Sequence, residues 1–317
     1  MNNREFFKNY NNLNRESRKN AKRTKCLLCG QEQTSFCNSH SMPKFILDNI
    51  DNNGNLLSAR VLFGTDDGHK YTGLKNTWTF QNICRKCDAQ YFADYEKEEA
   101  LLSKPTDRIM AEIALKNSLF MYYKYSIDKE RNKLLHGVEF VRDSLDLRDI
   151  ENSIHNAKDV IDFNLRRKYK ILFFKLLDWV SPVCAQTLIC VENDLQNNPV
   201  NNIFDFSEAV IMQYIHLCVL PLKTQTYVLL FHNRRDKKYK DFDSQFLKLS
   251  EEKKLEYINF MIFRYIEHFA ISPQVEERVL NDKKLIALTK YDIRLHRIPC
   301  LIQPNEITNL LNINLKE

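Results

Sequence analysis

The stretch "ICRKCDAQYF" (residues 83–92), together with "CLLCG" (26–30), decides how the first part of this chain folds. Each stretch contains a Cys-x-x-Cys pair, and 54 residues separate the two pairs. Each pair supplies two thiolates from a tight turn, so the two together predict one closed, structural Zn²⁺ site with Cys26, Cys29, Cys84 and Cys87 as ligands. The alternative is four reduced cysteines in a core. It fits less well, because Arg85 and Lys86 are typical of an exposed turn.

Length and composition bound the class of protein. The chain has 317 residues, 44% of them hydrophobic and 28% charged, which is typical of a soluble globular protein of two domains, or of one domain with a large elaboration. No apolar run is long enough to span a bilayer, and the N-terminus has no apolar signal segment. We therefore expect a cytoplasmic protein that does not bind membranes. In that compartment its nine cysteines should be thiols or metal ligands.

The net charge is concentrated at one end of the chain. Residues 1–25 carry eight basic and two acidic residues, which accounts for the whole formal charge of +6. A basic arm beside the cysteine pairs suits a polyanion such as nucleic acid. The alternative is a solvated, flexible terminus.

Glycine usage and hydrophobic periodicity predict an α+β protein. All six glycines lie at or before position 137, and five of them lie between 30 and 73, so that region should contain tight turns and short strands. Helical periodicity follows from Asp88 onward. We predict helices over 89–102, 105–125, 159–180 and 250–271, and strands over 184–191, 213–222 and 224–231.

Between the cysteine pairs lies "SHSMPKFIL" (39–47). With the pairs on either side, this pattern resembles the HNH, or ββα-metal, endonuclease superfamily. More narrowly, it resembles bacterial proteins with Cys-x-x-Cys, Ser-His-x-x-Pro-Lys and a later Cys-x-x-Cys followed by an acidic residue. The resemblance covers roughly residues 24–100. It implies a zinc-stapled ββα-metal module that hydrolyses phosphodiesters in DNA or RNA, as found in phage-defence and mobile-element systems.

The resemblance assigns roles to individual residues. His40 matches the strand histidine that acts as the general base on an attacking water. Asp88 takes the position of a ligand to one catalytic divalent ion, Mg²⁺ or Mn²⁺. Glu96 or Asp94, one or two helical turns later, would complete the metal shell. Three basic residues would border the cleft and contact phosphates: Lys44, Arg85 and Lys86.

This chain departs from the family pattern at two positions. Ser39 precedes His40 where an acidic metal ligand is often found, and Thr79 stands where the family has its middle Asn. Asn82 is nearby and is the remaining candidate for that catalytic role, although it is three positions out of register. An alternative is therefore that "SHSMPKF" is structural, with Ser39 as a cap and with Pro43 starting a helix.

The domain prediction is a basic arm (1–25), a zinc-binding nuclease module (26–102) and a mostly helical domain with a few strands (103–317). The last would supply specificity or regulation, through a homo-oligomer or an activating partner. Two other functions stay open. One is a catalytically degenerate, zinc-dependent nucleic-acid-binding protein, and the other is a zinc-scaffolded protein–protein interaction module. Two further candidates remain. His69 is a candidate for a role in the site, and the basic, aromatic stretch 232–242 is a candidate for nucleic-acid binding.

Overall fold

The computed structural model describes residues 3–58, 71–73, 78–290 and 300–316. Two sheets are built from strands that run in this order along the chain: β1 (Ser39–His40), β2 (Asn55–Ser58), β3 (Tyr71–Gly73), β4 (Thr79–Phe80), β5 (Tyr169–Leu177), β6 (Val183–Ile189), β7 (Ile215–Pro221), β8 (Thr226–Asn233) and β9 (Phe269–Ile271). β1 and β4 pair alone, and the others form one sheet in the order β3-β2-β9-β6-β7-β8-β5. Every pairing in both sheets is antiparallel.

Helices surround this large sheet. In chain order they are α1 (Asn3–Asn20), α2 (Lys44–Asp48), α3 (Arg85–Tyr91), α4 (Asp107–His136), α5 (Val141–Asp162), α6 (Lys240–Leu247), α7 (Glu251–Tyr265), α8 (Glu277–Leu280) and α9 (Lys283–Thr289). Short 3₁₀ turns lie at Glu98–Leu101, Lys237–Tyr239, Pro304–Glu306 and Leu310–Asn312. In the described part of the chain, no helix combines the length and the apolar character that crossing a bilayer requires.

The sheet is the middle of three layers. Every residue of β6 and β7 is buried, so both of their faces must be covered. Alternate residues, such as Cys184 and Cys218, face a core shared with α4, α5 and the cysteine-rich segment. Their neighbours, such as Val183 and Leu217, face a second core formed with α6, α7 and the C-terminal turns. The chain is therefore of mixed α and β structure, compatible with the predicted α+β class.

Several predicted elements are confirmed, with shifted bounds. The helix predicted over 105–125 is α4, which begins after Thr106, whose hydroxyl accepts from the Ile109 N–H. The predicted strands are β6, β7 and β8, and β7 pairs with β8 through a turn after Pro221. The segment 250–271 contains α7, but it ends in the strand β9.

Two predicted helices are wrong. Of the segment 89–102, only the residues up to Tyr91 are α-helical, as the end of α3, and turns and the 3₁₀ helix Glu98–Leu101 follow. Residues 159–180 contain only the end of α5, followed by a loop and by β5, which pairs with β8 along its length. The reason is that "ILFFKLL" (171–177) is an apolar run broken only by Lys175, which suits a buried helix and a strand equally until a partner strand is known. As a result, residues 103–317 contribute five strands to the seven-stranded sheet, more than the few expected.

Two features cross the predicted domain limits. The basic arm is the helix α1, which lies on α4: Arg23 donates to the Tyr122 hydroxyl at 3.1 Å, and Arg131 donates to the Asn14 amide oxygen at 3.1 Å. β2, from the cysteine-rich segment, pairs with β9 from the far end of the chain. One sheet and one core therefore include residues from both sides of position 102.

Candidate metal centre and active site

The four cysteines of the two Cys-x-x-Cys pairs lie together. The Sγ atoms of Cys26, Cys29, Cys84 and Cys87 are all within 4.8 Å of one another, and those of Cys29 and Cys84 are 4.0 Å apart. Zinc bound tetrahedrally at about 2.3 Å needs sulfur atoms about 3.8 Å apart. This group, which we call the four-cysteine cluster, therefore fits a structural metal such as zinc.

Backbone hydrogen bonds bring the two pairs together. Gly30, at φ 70°, closes the first turn by donating its N–H to the Cys26 carbonyl at 2.9 Å. The positive φ explains the glycine, because other residues rarely adopt this conformation. The Leu27 N–H donates to the Asn82 carbonyl at 2.9 Å, and the Cys84 N–H donates to the Cys26 Sγ at 3.3 Å. Hydrogen bonds thus tie the two turns to each other.

The thiol pKa values favour a bound cation at this centre. Burial raises the pKa of Cys26, but hydrogen bonds from the Cys29, Cys84 and Leu28 backbones outweigh it and bring the value down to about 7. For Cys87, burial raises the pKa, and hydrogen bonding to Cys84 and the charge of Cys26 raise it further. The negative charge of one thiolate thus disfavours deprotonation of the next cysteine, and a bound metal ion would relieve this repulsion.

The four-cysteine cluster also fixes Asp88 against the strand that bears His40. Cys84 is the N-cap of α3, so Asp88 lies in the first turn of that helix. The Ser39 hydroxyl donates to one carboxylate oxygen of Asp88 at 2.6 Å, and the Cys37 thiol donates to the other at 3.4 Å. Burial and the Asp88 charge raise the pKa of Cys37 to about 11, so it stays a thiol donor.

His40 lies next to this contact. It pairs with Thr79 across β1 and β4, and it is partly exposed. Successive side chains of a strand point to opposite faces, and Ser39 is buried against Asp88. Strand alternation therefore directs the His40 ring to the other face from the Ser39–Asp88 contact.

Asn82 and Glu96 make contacts elsewhere. Asn82 is buried, and its amide donates to the Leu119 carbonyl of α4 at 2.8 Å. Glu96 forms an ion pair with the buried Lys116, whose ammonium lies 4.4 Å from the centre of the Phe92 ring. Among the side-chain hydrogen bonds and ion pairs of the described residues, neither is joined to Asp88, so their catalytic roles stay predictions.

The remaining predicted residues lie mostly on the surface. Lys44, Arg85 and Lys86 are exposed, and Lys44 pairs with Asp48 at 3.2 Å. Asp94 accepts from Arg108 at 2.7 Å. The stretch 232–242 offers no aromatic ring for base stacking, because its two aromatics, Tyr239 and Phe242, are fully buried. His69 lies outside the described residues.

A buried polar network, which the sequence did not reveal, anchors the segment after His40. The Gln186 amide of β6 donates to the Ser41 carbonyl at 2.9 Å and to the Asn117 amide oxygen at 3.0 Å. Tyr95 donates its hydroxyl to the same glutamine. The amide nitrogen of Asn117 in turn lies 3.3 Å from Nδ1 of His216 on β7. The His40 strand is thus tied to the central sheet, as a positioned site requires.

Sequence reasoning also missed a cleft at the start of α4. Its volume is about 700 Å³, and six of its lining residues are basic. The run "LRRKYK" (165–170) is the available signal, but it falls within the segment predicted to be a helix. Comparison of the chain with protein-family models, with curated proteins and with solved structures found no match. Function is therefore argued from these residues alone.

Proposed function

We propose that this protein is a metal-dependent endonuclease of DNA or RNA, with a zinc-bound four-cysteine cluster that staples a ββα-metal module. The observation that carries the proposal is the contact between Ser39 and Asp88 at 2.6 Å. This contact places the Asp88 carboxylate, on the helix that begins at the second cysteine pair, beside the strand of His40. A histidine base and a carboxylate that can hold a divalent ion form the minimal set for this hydrolysis.

The charge distribution supports a polyanionic substrate. Arg85 and Lys86 are exposed in the first turn of α3, where they could contact phosphates on either side of the scissile bond. On α1, Arg15, Arg18 and Lys19 are also exposed, so the basic arm presents its charge to solvent while it stays docked on α4. A nucleic acid would be attracted to these basic surfaces.

In the proposed reaction, His40 acts as a neutral imidazole that accepts the proton of the attacking water. Asp88 would hold a divalent ion, Mg²⁺ or Mn²⁺, and this ion supplies charge neutralisation at the scissile phosphate and at the leaving oxygen. Ser39 and Cys37 position the Asp88 carboxylate through their two hydrogen bonds. The zinc takes no part in the reaction, because four thiolates leave no open coordination site.

A cleavage assay tests the proposal. Purified protein with measured zinc content is incubated with supercoiled plasmid and with single-stranded RNA, in Mg²⁺, Mn²⁺ or EDTA. We expect cleavage of one substrate that needs the divalent ion. His40→Ala and Asp88→Asn should each lower the rate by about 100-fold or more, because each removes a group that acts in the transition state.

Two matched controls keep the result interpretable. His155→Ala removes an exposed histidine from α5, and Asp178→Asn neutralises an exposed aspartate after β5. Both variants should cleave at the wild-type rate. Cleavage that persists in EDTA, or a His40→Ala variant as active as His155→Ala, would contradict the nuclease proposal.

The second candidate function is a nucleic-acid-binding protein with a degenerate site. One observation that favours it is that each carboxylate oxygen of Asp88 already accepts a hydrogen bond, one from Ser39 and the other from Cys37. The other is the strand alternation that directs His40 away from Asp88. This candidate predicts binding that weakens steeply with salt and no cleavage by the wild type. The same preparations, assayed for binding at two salt concentrations, distinguish the two functions.

A further inference from the structure

A basic cleft lies at the N-terminal end of α4, where the loop after α5 and the start of β5 meet it. Its volume is about 700 Å³, within the range of small-molecule sites. Six basic side chains line it: Lys104, Arg108, Arg166, Arg167, Lys170 and Arg234. The one acidic residue of the lining is Asp107. A concentration of like charge in a concave site raises the local positive potential, which attracts anions.

Half of these cations are not neutralised by the described part of the chain. Among the described residues, Lys104, Arg166 and Arg167 make no side-chain hydrogen bond or ion pair, and all three are exposed. Arg234 is only partly engaged, because it donates to two backbone carbonyls, those of Arg167 and Tyr169, rather than to a carboxylate. Full positive charges on these residues therefore remain available to a ligand.

The wall of the cleft is built rigidly. Asp107 uses its carboxylate to accept the backbone N–H groups of Arg167, Lys168 and Tyr169, at 2.8, 3.0 and 3.3 Å. Its charge is thus directed at the loop rather than at the cleft. Asn164 and Arg167 are held at φ 48° and 57°, a left-handed conformation that costs non-glycine residues energy and is enriched at ligand clamps. Three hydrogen bonds to Asp107 thus hold the loop against the start of α4.

Apolar side chains line the same cleft. Pro105, Met110, Leu165 and Ile171 lie among the cations. Inorganic anions need only charge and hydrogen-bond donors, whereas a nucleoside also needs an apolar surface for its base. We propose that this cleft binds a phosphate-bearing nucleotide, either a free nucleotide or the terminal nucleotide of a nucleic-acid strand. The basic residues hold its phosphates, and the apolar side chains contact its base.

The cleft is separate from the four-cysteine cluster and from Asp88. The residues that line the cleft include none of the four cysteines, nor Asp88 or its partners Ser39 and Cys37. The proposal therefore does not need the nuclease chemistry. A protein that binds nucleotides here and never cleaves nucleic acid would fit it equally well.

Binding measurements on the full chain test the site. The probes are pyrophosphate, AMP, ATP, and an eight-nucleotide single-stranded DNA with or without a 5′-phosphate, each measured by calorimetry without divalent ions. The test variant is Lys104→Glu with Arg166→Glu, whose side chains make no hydrogen bond or ion pair with the rest of the described chain. The control is Lys248→Glu with Lys283→Glu, which makes the same charge change at exposed sites after α6 and at the start of α9.

We expect a nucleotide probe to bind more tightly than pyrophosphate, and the test variant to weaken that binding by about tenfold or more. The control variant should bind as the wild type does. Binding of AMP or ATP identifies a free nucleotide, and binding only of the 5′-phosphorylated DNA identifies a strand end. The proposal is overturned if no nucleotide probe binds, if pyrophosphate binds as tightly as the nucleotides, or if both double variants weaken binding equally.

Discussion

His216 is a histidine inside the central sheet. Its ring stacks on Phe231 with centroids 4.9 Å apart, and its Nδ1 meets the Asn117 amide. Burial lowers the pKa of His216 to about 3, and repulsion from His232 adds to the shift. The ring is therefore neutral in the folded protein, which agrees with its acceptor role towards Asn117.

This pKa predicts an acid-sensitive fold. Between about pH 3 and pH 6.5 the unfolded chain binds a proton at His216 that the folded protein does not. The stabilising contribution is therefore complete above pH 6.5 and is lost as the pH falls. Between pH 7.5 and pH 5 the free energy of unfolding should drop by about 2 kcal/mol because of this group. In His216→Gln, which keeps an acceptor, urea unfolding should show a correspondingly flatter pH dependence.

The control for this experiment is His155→Gln, because His155 is exposed on α5. Its unfolding free energy should follow the wild-type pH dependence. If the His216→Gln curve runs parallel to the wild-type curve, the histidine is not the group that titrates. Acid release of metal from the four-cysteine cluster affects all three proteins alike, so the difference between curves isolates His216.

The contacts of some site residues could be predicted from the sequence, whereas those of others could not. The four cysteines could be placed together because Cys-x-x-Cys spacing is itself a local geometric rule, and the four-cysteine cluster agrees. Asn82 could not be placed, since its hydrogen bond is to Leu119, 37 residues away on another element. The structural alternative predicts Ser39 as a cap, yet its hydroxyl donates to Asp88. Contacts between distant elements carry no local sequence signal.

At the scale of elements, β5 shows how tertiary context overrides local pattern. It is an edge strand of the large sheet, and an edge must avoid pairing with other molecules. Two lysines on it form ion pairs with the layer of α6 and α7: Lys170 with Asp243 at 2.5 Å, and Lys175 with Glu251. In the sequence, the apolar run between and around those lysines suits a helix and a strand equally. The pairing with β8 makes this segment a strand.

The end of α4 gives a prediction about an element. Gly137 is its C-cap at φ 71°, and its N–H donates to the Lys133 carbonyl at 2.8 Å. Apart from its two chain neighbours, no described residue has an atom within 4 Å of the position that a side-chain methyl group would take at this glycine, so a substitution there changes mainly the backbone energy. Gly137→Ala should lower the free energy of unfolding by about 1 kcal/mol. Gly137→Asn should cost less, because Asn tolerates the left-handed conformation. Equal stability of both variants in chemical denaturation would refute this explanation.

At the scale of the whole molecule, the four-cysteine cluster belongs to the main core. Cys26, Cys84 and Cys87 pack in the same core as Leu119 of α4 and Leu188 of the sheet. The strand β2 that follows the first cysteine pair extends the large sheet through β9. A metal that holds the two cysteine pairs together therefore stabilises residues on both sides of position 102, as well as the local turns.

Loss of the metal should consequently destabilise the whole fold. Cys87→Ser removes one of four thiolates, and we expect the bound metal to fall from one equivalent per chain to near zero. The free energy of unfolding should drop by about 3 kcal/mol or more. Cys300→Ser is the matched control, because Cys300 is a partly buried thiol outside the four-cysteine cluster. Metal analysis and thermal unfolding monitored by circular dichroism give both quantities. A Cys87→Ser protein that melts with the control, while lacking metal, would show that the cluster stabilises only its own turns.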